Sequence, residues 1–582
     1  MRRLGRPARR LDLRTVRRDA AARGPRIAPV STGLVAALVA ALVVALPVRL
    51  AWSSGDPLSH DDRARSLYRV VVSLDAGGNP VLPVAVIEHA NTVTVEGSNG
   101  LRVLGTGDGA VEFRVPAGKS VEITGQDLRP AKKLFWVGLA RAPSGDMDTL
   151  RTARKFWQDQ GVNVKLLTVG ATYALAGRVL DTRQTVLGLE PPLTDADAAE
   201  KRAAELADAH GRDTFVHVVV DTPPSASLRL AAPGGVEVRA ADVLWLEALP
   251  DDKGEALPLI VNARGSRLEL PGRVYIAPGD GGGLAVVNEA RIETMLEGVV
   301  ASEIFQSAPL DALRAQAVAA RTDMLAKVGL RHHADPFAIC SEVHCQAYRG
   351  LGKVNPRISD AVRSTRGQVL VGSDGRLVDT FYHAVSGGHT EHNENAWRMP
   401  PHPNLRGRAD LTDGAAEPLA KGADEAAVRA MLDGPDRSWA AASGKNKAAC
   451  RWEVSHSAAD LEGSLRAAGI TRPIRSLRVL ERGVSGRITH IEVELTDGSK
   501  RKIWGELRIR RMFKGLRSSL ALVTPGPAGA DGAPRSWSFR GAGYGHGVGM
   551  DQTGAVGRAS KGQSYKAILG HYYQGSRLEQ LY

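Results

Sequence analysis

Glu303 is the first residue whose setting suggests chemistry. It stands in the run VVASEIF, between an apolar, strand-like stretch and a helix opened by a proline. A carboxyl on a short loop there is partly desolvated. Burial disfavours the anion, so the group keeps its proton near neutral pH and can donate it to a leaving oxygen. The competing reading is a carboxylate that caps or salt-bridges the next helix. That helix is expected from SAPLDALRAQAVAARTDML. Ser307 or Ala308 would cap it, Pro309 fits its first turn, and Leu313, Ala317, Ala320 and Met324 recur at helical spacing. Gln316 and Arg321 interrupt the small residues, so the helix carries a fixed cation into a closely packed interior.

His332, His333, Cys340, His344 and Cys345 follow. Two thiolates and one or two imidazoles suit a tetrahedral structural zinc site, although the C-x3-H-C spacing is not that of a standard finger. A Cys340–Cys345 disulfide and free thiols are the alternatives. With Cys450 the only other cysteine, the chain is no disulfide scaffold. Further on, the strand VDTFYHA brings Tyr382 to the turn Ser386-Gly387-Gly388-His389-Thr390-Glu391. Tyr382, Ser386 and Thr390 are expected sugar contacts there; an ordinary turn is the plainer reading, and no G-x-S-x-G context supports a nucleophilic serine. The run GAGYGHGVGM, from Gly541, has five alternate glycines, which let a backbone approach a ligand or another surface closely. It lacks the strand–helix context of a dinucleotide site. His546 within it is either a ligand contact or a satisfied core histidine.

These residues sit late in a 582-residue chain, long enough for several domains. The formal charge of +13 is local: residues 1–26 hold ten Arg and two Asp, leaving a mild excess and no basic stripe elsewhere. No nucleic-acid partner is expected. Residues 27–52 read as a membrane anchor with the basic tail in the cytoplasm, or as a cleaved signal sequence. Either reading puts the remainder in the periplasm or another extracytoplasmic space, secreted if cleavage occurs. Residues 53–126 read as a linker and a small β-rich unit. Residues 127–224 follow a β-α-β-β-α-β order, expected to be ferredoxin-like, and the TYALAGRVLDTRQTV stretch resembles SPOR domains, which bind septal peptidoglycan. Residues 225–582 form the last domain, with a variable, mostly helical insertion near 413–447. The expected fold class is multidomain α+β.

Four blocks in order, LEGVVASEIFQSAPLDALRAQAVAARTDML, FAICSEVHCQAYRG, FYHAVSGGHTE and GAGYGHGVGMDQTGAVGRASKGQSYKAILGHYYQG, resemble the SpoIID/LytB family over about residues 226–582. The resemblance implies a β-rich core with packed helices and, in enzymatic members, a lytic transglycosylase cutting the β-1,4 bond between N-acetylmuramic acid and N-acetylglucosamine. The family's catalytic glutamate falls on Glu303 and its active-site arginine on Arg321, which would orient Glu303 or a substrate oxygen. Its zinc ligands fall on Cys340, His344 and Cys345, with His332 or His333 upstream. Phe305 stands where Met is usual and Asp323 where Tyr is usual. Implied partners are peptidoglycan glycan strands and an amidase, because other members are non-enzymatic amidase enhancers; the membrane is an expected partner through the anchor at 27–52.

Overall fold

The computed structural model describes residue 67 and residues 72–582, apart from 106–111, 211, 213, 333–334, 343–344, 398, 414–418 and 420–422. The basic tail and the expected anchor at 27–52 lie outside these residues. Among the described residues, no helix is long and apolar enough to cross a membrane.

The described chain is β-rich, with several sheets and packed helices. Its alternating runs before residue 130 pair with strands far downstream. Pro80–Ala90 pairs with Leu284–Arg291, Thr92–Gly97 with Leu259–Ala263, Leu101–Gly105 with Leu244–Ala248, and Ser120–Arg129 with Ser225–Ala232, all antiparallel. Two sheets result. One runs Ser73–Leu74, Pro80–Ala90, Leu284–Arg291, Arg273–Pro278, Leu244–Ala248, Leu101–Gly105, Glu112–Val115; the other Val236–Ala241, Ser225–Ala232, Ser120–Arg129, Thr92–Gly97, Leu259–Ala263, Ser266–Leu270. Leu82, Val95, Ile123, Leu230, Val261 and Ile276 belong to one buried core drawn from both. Boundaries at 126 and 225 therefore fall within paired sheets, and the segment between them is inserted into one body. Alternation decides which face a strand buries, not which strand it meets.

The inserted segment has its own core of Leu139, Trp157, Leu187 and Leu206. Its sheet runs Phe215–Thr222, Lys132–Pro143, Gln184–Leu189, Val164–Val169, with every neighbour antiparallel and the helices Met147–Asp159 and Ala196–His210 in the two crossovers. Val164–Val169 pairs with Gln184–Leu189, whereas Thr172–Leu175 and Arg178–Asp181 form a separate ribbon. Val164–Val169 and Thr172–Leu175, neighbours in sequence, are thus not partners. The ribbon turns at Ala176 and Gly177, both left-handed (φ 49° and 77°), as a two-residue hairpin turn requires. Tyr173 Oη donates to the Leu325 carbonyl at 2.7 Å and Thr182 Oγ1 to that of Val328 at 2.7 Å, tying the segment to the end of the helix that carries Arg321.

Two helices follow the double sheet. Ile292–Glu303 places Glu303 at its last helical position rather than on a loop. The apolar run before it is helical because it buries Met295, Leu296, Val299 and Val300 against neighbours on more than one side. Leu310–Ala326 starts one residue after Pro309, which is itself the N-cap, and no side chain caps it. Every residue from Ala315 to Ala326 is buried. One side packs in the double-sheet core through Leu313, Ala317 and Met324; the other packs through Ala315, Val318 and Ala319 against Val548, Met550, Ala555 and Ile568. Small side chains let elements approach from both directions.

The C-terminal part adds a second core, including Leu461, Ile491, Phe513 and Trp537, under two three-stranded sheets. The stretch near 413–447 includes the helices Glu425–Asp433 and Trp439–Ala442. The chain then returns: Gln552–Ser560 packs on the Arg321 helix, and Arg577–Gln580 pairs with Gln368–Val371.

Candidate functional site

Glu303 ends its helix in a pocket of donors. Its Oε1 accepts from the Ala347 amide at 2.5 Å. Gln552 Nε2 donates to the Glu303 carbonyl at 2.9 Å and lies 3.5 Å from Oε2, while also reaching Gln316 Oε1 at 3.3 Å. The buried Tyr382 hydroxyl interacts with the carboxylate without meeting hydrogen-bond geometry. Burial is the largest influence on Glu303 and raises its pKa, and the charge of Asp323 pushes the same way; the donors from Ala347, Gln552 and Tyr382 only partly oppose this. A desolvated carboxyl that holds its proton, with an acceptor-only anion already matched to donors, can give a proton and take one back.

Gln552 was not foreseen as a site residue. Its signal was the DQTG sequence: Asp551 caps the helix Gln552–Ser560 by accepting from Gly554 N at 2.7 Å, and this places Gln552 at the first helical position, facing Glu303. Gln316 was legible only as a polar interruption.

Arg321 does not pair with Glu303. Its fork is bidentate on Glu293, Nε to Oε1 and Nη2 to Oε2 both at 2.7 Å, with further bonds to the Gln368 and Val362 carbonyls. Glu293 also accepts from Tyr582 Oη at 2.6 Å and Gly367 N at 3.2 Å. The side chain is fully buried. The expected orienting contact is therefore corrected: Arg321 and Gln316 are five positions apart on the helix and leave it in different directions. Asp323 forms an ion pair with Lys327 at 2.5 Å and accepts from Gln346 Nε2 at 2.7 Å.

Ser386 and Thr390, expected at a sugar, are buried in internal bonds. Ser386 N donates to Asp551 Oδ2 at 2.7 Å and its hydroxyl to Asp410 at 3.2 Å; Thr390 Oγ1 accepts from Arg408 N at 2.9 Å. Asp410 also holds Arg558 at 2.7 Å and Tyr572 at 3.0 Å. The turn is a buried polar knot, because its backbone crosses under the C-terminal segment instead of facing solvent. The alternate glycines explain that crossing. A Cβ on Gly547 would meet Arg487 Cζ at 2.5 Å, and one on Gly549 the Phe381 carbonyl at 2.0 Å, so the close approach is to protein. His546 is half-buried, its ring 4.5 Å from that of Trp397, with Nδ1 accepting from Val548 N at 3.1 Å. Burial holds its pKa well below the usual histidine range, so the ring is neutral.

His332, Cys340 and Cys345 bring one ligand atom each to within 4.8 Å of one another. The expected ligands His333 and His344 lie outside the described residues. His332 Nδ1 is 2.8 Å from Asp335, which orients the ring as a carboxylate orients a metal-ligating imidazole. None of the three cysteines is in a disulfide, so the disulfide alternative is not formed. Ile339–Cys340 joins the first sheet parallel to Pro80–Ala90, fixing one thiol to the core. Two thiols and an oriented imidazole fit three positions of a tetrahedral zinc.

Residues 280–371, which contain Glu303, Arg321 and the Cys/His cluster, match the family described as Stage II sporulation protein (SpoIID). That segment is similar to the SpoIID family. A second match, to a Domain of unknown function (DUF8618), spans residues 391–549. The chain is 29% identical over 292 residues to an uncharacterized protein of Brachyspira hyodysenteriae, covering 50% of this chain and 67% of that protein. It is 28% identical over 309 residues to the amidase enhancer of Bacillus subtilis, covering 49% of this chain and 40% of the enhancer.

Proposed function

We propose that the protein acts on the cell wall as a peptidoglycan lytic transglycosylase, with Glu303 as the single acid and base. The observation that carries this reading is the setting of Glu303: a desolvated carboxyl with a raised pKa, facing Gln552 and Tyr382. Protonated Glu303 gives its proton to the glycosidic oxygen. The resulting carboxylate then takes a proton from the muramic 6-hydroxyl as that oxygen attacks C1, giving a 1,6-anhydro end. Hydrolysis ordinarily requires a second carboxyl across the scissile bond. The carboxylates nearest in sequence logic are committed elsewhere. Asp311 accepts from Tyr565 N at 3.1 Å, Glu342 binds Arg349 at 3.2 Å, and Glu391 accepts from Ser485 Oγ at 2.6 Å. One acid therefore serves both proton transfers.

Tyr382 and His546 are assigned to the glycan side of this site, and Arg321 to holding the helix pair that presents Glu303. Cys340, Cys345 and His332 would hold a structural zinc that braces the segment supplying the Ala347 donor; His333 or His344 is the remaining ligand in this reading. The inserted 132–222 segment is read as a ferredoxin-like, SPOR-like unit that binds glycan, and the envelope as the location, with residues 27–52 as anchor.

The second reading is an amidase enhancer that binds wall and stimulates a separate amidase, favoured by the relative that bears that name. Purified sacculi and denuded glycan, digested with the protein alone and analysed by mass spectrometry, separate the two. The proposal expects anhydro-ended products that disappear with Glu303→Gln. Products that persist in that variant, or that form only after an amidase is added, overturn it.

A further inference from the structure

The helix Leu310–Ala326 is buried from Ala315 to its end, yet it carries a polar stripe. Gln316, Asp323 and the C-cap residue Lys327 stand at i, i+7 and i+11, with Ala320 between them, so they share one face. Arg321 leaves in another direction, onto Glu293. The stripe meets Gln552 at one end and the segment 345–347 at the other.

Out of reach of water, these groups must find their partners within the protein. Lys327 Nζ donates to Asp323 Oδ2 at 2.5 Å and to the Cys345 carbonyl at 3.4 Å. Gln346 Nε2 donates to Asp323 Oδ2 at 2.7 Å and to the Ala320 carbonyl at 3.0 Å. The next residue, Ala347, gives its amide proton to Glu303 Oε1 at 2.5 Å. On its other side the Tyr348 hydroxyl is fixed to Asn288 Oδ1 at 2.8 Å. The Ala347 amide therefore hangs between two anchors, and the one toward the helix is the Gln346 side chain.

We propose that Asp323 is a positioning residue for Glu303: by holding Gln346 against the helix, it aims the Ala347 amide at the Glu303 carboxyl. The role rests on the reading of Glu303 as the reacting acid. A donor displaced by about 1 Å would alter both the geometry of that acid and the balance between its two protonation states. Asp323 also acts on Glu303 directly. Its Oδ1 has no hydrogen-bond partner among the described residues, and its charge opposes the Glu303 anion. The two actions have opposite signs: the amide that Asp323 aims favours the anion, and the charge it carries favours the acid. Tyr382 is the other titratable group facing Glu303, and Lys327, Asp379, Tyr382 and Tyr573 face Asp323.

The test is an infrared difference titration of the full chain, in which Glu303 is the carboxyl band that Glu303→Gln removes. Asp323→Asn keeps an acceptor for Gln346 and removes the charge, so the Glu303 midpoint is expected to fall by about half a pH unit or more. Gln346→Met removes the clamp and keeps the charge, so the midpoint is expected to rise by a similar amount. General loosening of the fold would move both variants the same way. Where thermal melts show an unfolded variant, Gln346→Ala replaces Gln346→Met, and Asp323→Asn is combined with Lys327→Met, which leaves no lone buried cation. An unmoved midpoint on loss of the Gln346 side chain, or shifts of one sign in both variants, overturns the proposal. No glycan is present in this titration, so its failure and the failure of anhydro-product release are separate results.

Discussion

Replacing Arg321 by methionine removes a cation that the fold uses twice, once to neutralise Glu293 and once to satisfy two carbonyls. Methionine fills much of the volume but leaves Glu293, 16% exposed on its side chain, with only the Tyr582 hydroxyl and the Gly367 amide. Breaking one partner from a buried pair costs about 3–5 kcal/mol, because an uncompensated charge remains. The expected loss for Arg321→Met is in that range, read as a lower urea midpoint at unchanged slope. Glu293→Gln alone leaves the fully buried Arg321 guanidinium without its counter-charge and should cost a similar amount, although the amide oxygen still accepts from Tyr582. The double variant Arg321→Met with Glu293→Leu should recover most of the loss. Anhydro-product release, assayed at a temperature where each variant is folded, should fall only modestly in that double variant. A single Arg321→Met variant of unchanged stability that has lost all release would refute the structural account and return Arg321 to the reacting atoms.

Three further outcomes follow from the same geometry. Gln552→Ala removes a donor that lowers the Glu303 pKa; since the acid step needs the protonated carboxyl, the falling limb of the pH–rate profile should move to higher pH, and a shift to lower pH would contradict the assignment. Purified protein should carry about one zinc per chain by elemental analysis, lost in Cys340→Ser and His332→Ala; metal-free protein with an intact melting temperature would remove the brace from the account. Gly547→Ala puts a methyl 2.5 Å from the buried Arg487 guanidinium carbon at a left-handed backbone position, and should lower stability by about 1–3 kcal/mol, measured by denaturant titration.

Parts of the candidate site were legible before any fold was known. Glu303 was marked by its place between an apolar run and a helix start, and the helix carrying Arg321 by its spacing of Leu313, Ala317, Ala320 and Met324. Local residue type and periodicity are enough for those, because they report how one segment meets its own surroundings. The Cys/His cluster was legible by composition, although His332 rather than His333 is the described partner of the two thiols.

Other assignments needed the tertiary structure, since each depends on a contact between residues far apart in sequence. Four strands before residue 130 find partners about a hundred to two hundred positions later, so no local pattern could place the domain boundaries. Ser386 and Thr390 have the residue types of a sugar-binding turn, but Asp410, Asp551 and Arg408 reach them first. Arg321 could be read as a fixed cation; that its partner is Glu293, while Gln552 from the far end of the chain faces Glu303, followed only from which faces of one fully buried helix meet which neighbours. The chain's own alphabet specifies a candidate acid and the helix that follows it. Its reach, charge partner and neighbours are properties of the packing.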